Sequence, residues 1–172
     1  HSGDYTLDAV DTDNVEKVLV SNYETHASRG TTVSGSLFDS AVTTVGLSSS
    51  SASGDTTFSG LTKKVGAEMR NGAADLTITY DSSVFSGSSD VQDLTVSAVT
   101  AGTFGAAGAE TIAINTELSK SKLTNISSTG LTTLKITGDQ SLEVTTALTT
   151  KTIDASGSTG AVTLSLGSAN QT

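Results

Sequence analysis

Two stretches toward the C-terminus decide how this chain is read: Leu131-Thr-Thr-Leu-Lys-Ile-Thr-Gly-Asp-Gln-Ser-Leu-Glu-Val144 and Ile153-Asp-Ala-Ser-Gly-Ser-Thr-Gly-Ala-Val-Thr-Leu164. Each holds two apolar pairs, Leu134/Ile136 then Leu142/Val144 in the first and Ile153/Ala155 then Val162/Leu164 in the second. Members of a pair stand at i and i+2, so both project from one face of a strand, while Lys135 and Asp154 project from the other. The first pairs are offset by 19 residues and the second pairs by 20. Upstream, the same signature recurs as Leu76/Ile78, Leu94/Val96 and Ile112/Ile114, giving steps of 18, 18, 22 and 19 residues from first member to first member.

A unit of this length does not fold alone. Burying about five side chains at about 1.5–3 kcal/mol each falls short of the roughly 1–2 kcal/mol of backbone entropy lost per residue. Stacked units share hydrogen bonds and a continuous core. The expected fold is therefore all-β: a parallel β-solenoid or β-roll with two short strands per repeat of about 19 residues. Leu134 is expected to stack on Ile153, and Leu142 and Val144 on Val162 and Leu164, with Thr137-Gly-Asp-Gln140 and Ser156-Gly-Ser-Thr-Gly160 at the corners. Residues 73–172 form the repeat region on this reading. Residues 1–72 are β-rich but irregular, with Val18 and Val20 as an early rung and a β-sandwich as the alternative for this part. His1-Ser2 reads as an expression remnant, which makes the chain a fragment of a longer one.

Composition agrees with short strands. Ser and Thr make up about a third of the 172 residues, Gly numbers 17, and Pro, Cys and Trp are absent. Thr suits a pleated surface, Gly supplies tight turns, and a chain without Pro keeps every ladder N–H. Without Cys there is neither a disulfide nor a thiolate metal site. No apolar run is long enough to span a bilayer as a helix. Eighteen acidic against nine basic residues give a net charge of −9, which disfavours nucleic acid and anionic lipid headgroups and favours divalent cations as counter-ions.

Groups able to do catalysis are few. His26, in Tyr23-Glu-Thr-His-Ala-Ser-Arg29, reads as a surface side chain, and neither a nucleophile elbow nor a phosphate-cradling loop is present. No enzymatic activity is expected. Lys63, Lys64 and Arg70 form the one basic concentration and read as a solvated face. The carboxylates remain. Asp11-Thr-Asp13-Asn14 spaces hard oxygen ligands as the start of a calcium site, without the Gly and distal Glu of an EF-hand loop. Asp75 and Asp93 border successive strands, where stacking crowds like charges unless a cation bridges them. Asp11, Asp13, Asp75 and Asp93 are thus the candidate calcium ligands.

The two opening stretches, within residues 108–167, resemble segments of type I-secreted surface-layer proteins of Gram-negative bacteria. The resemblance implies an extracellular, self-assembling coat protein, dependent on calcium for its lattice and held to lipopolysaccharide through other parts of the parent chain. The Gly-Gly-x-Gly-x-Asp calcium repeats of that family are absent here, so no ligand carries over from them. A cell-surface adhesin module using residues 30–72 and 98–109 is the alternative, although only three Tyr and four Phe are present to stack a sugar.

Overall fold

The structure, a computed structural model, describes residues 14–25 and 30–168. Its strands in chain order are β1 (Lys17–Val20), β2 (Thr31–Ser34), β3 (Thr44–Ser48), β4 (Thr56–Leu61), β5 (Gly66–Arg70), β6 (Leu76–Tyr80), β7 (Val91–Ser97) and β8 (Thr103–Ala106). They continue with β9 (Thr111–Thr116), β10 (Ser121–Leu123), β11 (Asn125–Ser127), β12 (Thr133–Gly138), β13 (Leu142–Leu148), β14 (Thr152–Ser158) and β15 (Val162–Leu166). Every strand pair is parallel. One sheet has the order β1-β3-β5-β7-β9-β12-β14, a second β2-β4-β6-β8-β11, and a short third β10-β13-β15. Successive strands thus alternate between sheets while each sheet advances one coil at a time. The result is a β-solenoid of about six turns.

The core is the inside of the stack. Phe58, Leu76, Ile78, Leu94, Phe104, Ile112, Ile114, Leu134, Ile136 and Leu142 are all essentially inaccessible. Each buries about 1.5–3 kcal/mol of apolar surface against the coils above and below. The expected stacking of the C-terminal pairs is present: Leu134 pairs with Ile153, Leu142 with Val162 and Val144 with Leu164.

The ruler formed by the five aliphatic pairs needs one correction. Leu76/Ile78 belongs to the second sheet, where it stacks on Thr56/Phe58 and Phe104/Ala106. Leu94 pairs with Ile114, and Ile112 pairs with Gln92. Coil length varies, from 27 residues between Lys17 and Thr44 to 19 between Leu134 and Ile153. A period-two pattern marks which residues face inward but carries no label for the sheet they belong to, so pairs from two sheets look like one series.

Parallel pairing also runs through residues 17–70. Val18 and Val20 lie against Val45 and Leu47, and these against Ala67 and Met69. The serine run after Leu47 is a built corner. Ser50 is buried, its carbonyl accepts the Ala73 N–H, and the Ser51 N–H donates to the Asn22 carbonyl.

Corners entering the first sheet repeat one device. The carbonyls of Glu16, Asp90, Glu110 and Thr132 each accept two consecutive N–H groups from the next coil, at 2.8–3.1 Å. Gly138 closes another corner at φ +104°, where a Cβ would lie 2.2 Å from the Thr116 carbonyl oxygen. Only glycine fits that turn.

The last coil has nothing stacked on it among the described residues. Ile153, Ala155, Val162 and Leu164 continue columns that are buried one coil earlier, yet they are only partly covered, and Leu166 is 58% exposed.

Candidate functional site

Asp75 sits in the corner before β6, where its Oδ1 accepts the Thr103 N–H at 2.6 Å. Its own N–H donates to Asp55 Oδ1 at 2.9 Å. Two carboxylates thereby tie three coils of the second sheet, a common use of turn aspartates on backbone donors. Asp93 lies on β7 in the first sheet and meets Lys64 Nζ at 3.1 Å, both side chains largely solvated. Asp75 and Asp93 therefore stand on different sheets, each with its own partner. Asp11, Asp13 and His26 lie outside the described residues. Among the described residues no three His, Asp or Glu side chains converge as a metal-binding group.

The basic concentration is engaged rather than free. Lys63 Nζ donates to the Ser40 carbonyl, and Arg70 joins a charged network on the outward face of the first sheet. At the centre of that network is Glu68, whose side chain is only 4% exposed. Lys17 Nζ reaches it from β1 at 2.6 Å, Arg70 Nε donates to its other oxygen, and Arg70 continues to Glu117 at 3.3 Å. Burial pushes the Glu68 carboxyl up, but the hydrogen bonds from Lys17 and Arg70 and the two positive charges outweigh it. The net pKa lies below the ordinary glutamate value.

The network runs from β1 to Glu117, just past the end of β9, and Gly46 makes the approach feasible. A Cβ on Gly46 would lie 1.9 Å from the Glu68 carbonyl oxygen. At the far end of the same sheet Asp154 is exposed, and hydrogen bonds from the Ser156 hydroxyl and N–H hold its carboxyl below the usual range.

Sequence reasoning missed a polar pin in the core. Gln92 is fully buried in the column continued by Ile112, Leu134 and Ile153. Its Oε1 accepts the Tyr80 hydroxyl at 2.6 Å, and its Nε2 donates to the carbonyls of Val65 at 3.0 Å and Asp93 at 2.9 Å. The Tyr80 ring packs on Phe85 with centroids 4.4 Å apart. Burial pushes the Tyr80 phenol up to about 12, against the lowering effect of its bonds to Val65 and Gln92. A polar residue within an apolar run was the available signal.

One larger concavity lies along the third sheet, a groove of about 500 Å³ crossing four coils. Val99, Leu142 and Ala161 form its apolar floor, with Lys120, Lys122 and Glu143 at its sides. Lys122 pairs with Glu143 at 2.9 Å. No protein family, curated protein or solved structure matches this chain.

Proposed function

We propose that this chain is a structural, non-catalytic domain of a self-assembling bacterial surface-layer protein, working through the surfaces its solenoid presents to copies of itself outside the cell. The observation that carries this reading is the stacked parallel β-solenoid, a repeat body whose sheets offer extended surfaces to neighbouring copies. The resemblance of residues 108–167 to surface-layer segments supports the same reading and brings calcium with it as the assembly trigger and lipopolysaccharide as the anchor for the parent chain.

The test is assembly of the full-length parent with and without added calcium, followed by negative-stain microscopy. A two-dimensional lattice that forms only with calcium is the expected result. Monodisperse particles in both conditions count against a coat. The adhesin reading is favoured by one feature, the groove beside Lys120 and Lys122, whose lysines suit an acidic saccharide. Specific signals on a glycan array, lost in Lys120→Glu, would move the assignment there.

A further inference from the structure

Four coils leave the first sheet through a left-handed residue. Ser49, Asn71, Ala98 and Leu118 follow the ends of β3, β5, β7 and β9 with φ of 58°, 50°, 53° and 57°. In that region the Cβ crowds the backbone, so Gly, Asn and Asp are its ordinary occupants and a bulky side chain is strained. Ser, Asn and Ala are small or able to bond locally, and Leu118 is neither. It is also 77% exposed, the most exposed large apolar side chain among the described residues. A lone exposed leucine is commonplace. One held in a strained conformation is disfavoured twice at the same position, by its backbone and by its solvent.

A second, independent observation lies beside it. Ser119 and Lys120, the next two residues, line the groove of about 500 Å³ along the third sheet. So does Ala98 on the coil before, whose N–H donates to the Ser119 carbonyl at 3.4 Å. Val99 and Leu142, buried at the floor, make the bottom of the groove apolar. An apolar projection and an apolar slot therefore share one rim.

Two charges on that rim are unanswered. Lys120 is exposed and forms no ion pair with another described residue. Asp139 stands on the corner of the next coil, two residues before Ser141, which also lines the groove. It is exposed, and its carboxylate accepts a hydrogen bond only from Gln140 Nε2, at 3.2 Å. Lys122, by contrast, is already matched by Glu143 at 2.9 Å.

We propose that this rim docks on the same rim of a second copy across a two-fold axis. Leu118 of one protomer enters the groove of its partner, and Lys120 meets the partner's Asp139. A two-fold contact needs a surface complementary to itself. This one sets an apolar projection beside an apolar slot and an unmatched cation beside an unmatched anion, whereas a foreign partner needs only one half of that pattern. Docking removes two exposed leucines from water at once. The contact gives the self-association proposed above one specific surface and rests on that reading, and it is made by side chains alone, without a bridging cation.

The test uses the 172-residue protein in EDTA. Wild type, Leu118→Asn, Lys120→Asp, Asp139→Lys and the double exchange Lys120→Asp/Asp139→Lys are compared by sedimentation equilibrium, with melting curves taken at a dilution where all are monomeric. Asn is at ease in the left-handed region. Leu118→Asn is therefore expected to melt at or above the wild-type temperature while raising the dimer dissociation constant about tenfold or more. Each single charge reversal is expected to weaken the dimer roughly tenfold, and the double exchange to restore it.

A wild type that stays monomeric at millimolar concentration overturns the proposal, and binding of an acidic glycan by that monomer, lost in Lys120→Asp, assigns the groove to a saccharide instead. A folded Leu118→Asn that dimerises as tightly as the wild type overturns it too, as does a double exchange no tighter than the single reversals. The coat reading is judged separately. A monomeric wild type together with a lattice of the full-length parent overturns the contact and leaves the coat standing. A dimer abolished by Leu118→Asn, with no lattice from the parent, supports the contact and counts against the coat.

Discussion

Replacing Gln92 with leucine tests whether the buried amide is a structural pin or a tolerated intrusion. The substitution removes three hydrogen bonds, to the Tyr80 hydroxyl and to the Val65 and Asp93 carbonyls. At about 1 kcal/mol each, the loss is about 3 kcal/mol. Leucine adds apolar contact with the Ile112 column, worth about 1 kcal/mol. The net cost is then about 2 kcal/mol, which for a chain of this size lowers the melting temperature by about 4–8 °C.

The Tyr80 hydroxyl has a second acceptor in the Val65 carbonyl, at 3.1 Å, so it keeps a partner when the amide is gone. A double-mutant cycle with Tyr80→Phe is accordingly expected to show a coupling of about 1 kcal/mol. The pH profile adds an independent readout. The folded Tyr80 pKa of about 12 lies above its ordinary value of 10.0. The neutral phenol's advantage is full below the unfolded pKa and is lost as pH rises through the folded one. A two-unit shift is worth about 2.7 kcal/mol across that window, and Tyr80→Phe removes this slope. Thermal and urea unfolding followed by circular dichroism measure all of these quantities. A Gln92→Leu protein as stable as the wild type, with no coupling to Tyr80→Phe, would refute the pin.

Three further predictions follow the same logic. Gly46→Ala places a carbon 1.9 Å from the Glu68 carbonyl and forces two coils apart, so its urea midpoint should fall by the equivalent of about 3 kcal/mol or more. Glu68, with its folded pKa below the unfolded one, contributes stability that is full above the unfolded pKa and is lost as pH falls through the folded value. Melting curves taken down an acid series should show that loss in the wild type and a flatter limb in Glu68→Gln. Leu142→Ala, in the buried interior, should cost about 2–5 kcal/mol, and Leu164→Ala, on the partly covered last coil, distinctly less by the same unfolding assay.

The register of the last coils was readable because they have nearly equal lengths, so Leu134 and Ile153, or Leu142 and Val162, announce each other by spacing. Earlier coils carry longer corners, such as residues 81–90 between β6 and β7, and the spacing there says nothing about partners. Leu76/Ile78 was readable as a strand but not as a member of the second sheet. Val45/Leu47 and Ala67/Met69 keep the i, i+2 pattern on either side of Gly46 and Glu68, but nothing local marks Glu68 as buried, because its partners lie 51 and 2 residues away in sequence. Asp75 was legible as a corner residue. Its task, tying coils through Asp55 and Thr103, depends on residues 20 and 28 positions away that no local motif marks.

The charged network has a mechanical consequence. In a stack where each coil touches only its neighbours, a pull on the C-terminal end detaches β14 and β15 first and then works backward coil by coil, each step breaking one short ladder. The contacts Lys17–Glu68 and Arg70–Glu117 each skip an intervening strand of the first sheet. Peeling that reaches β9 therefore has to release a bond to a coil two steps further in. Among the described residues the ion pairs that skip a strand lie between Lys17 and Glu117, and under load that part of the stack is expected to hold longer than the coils after it.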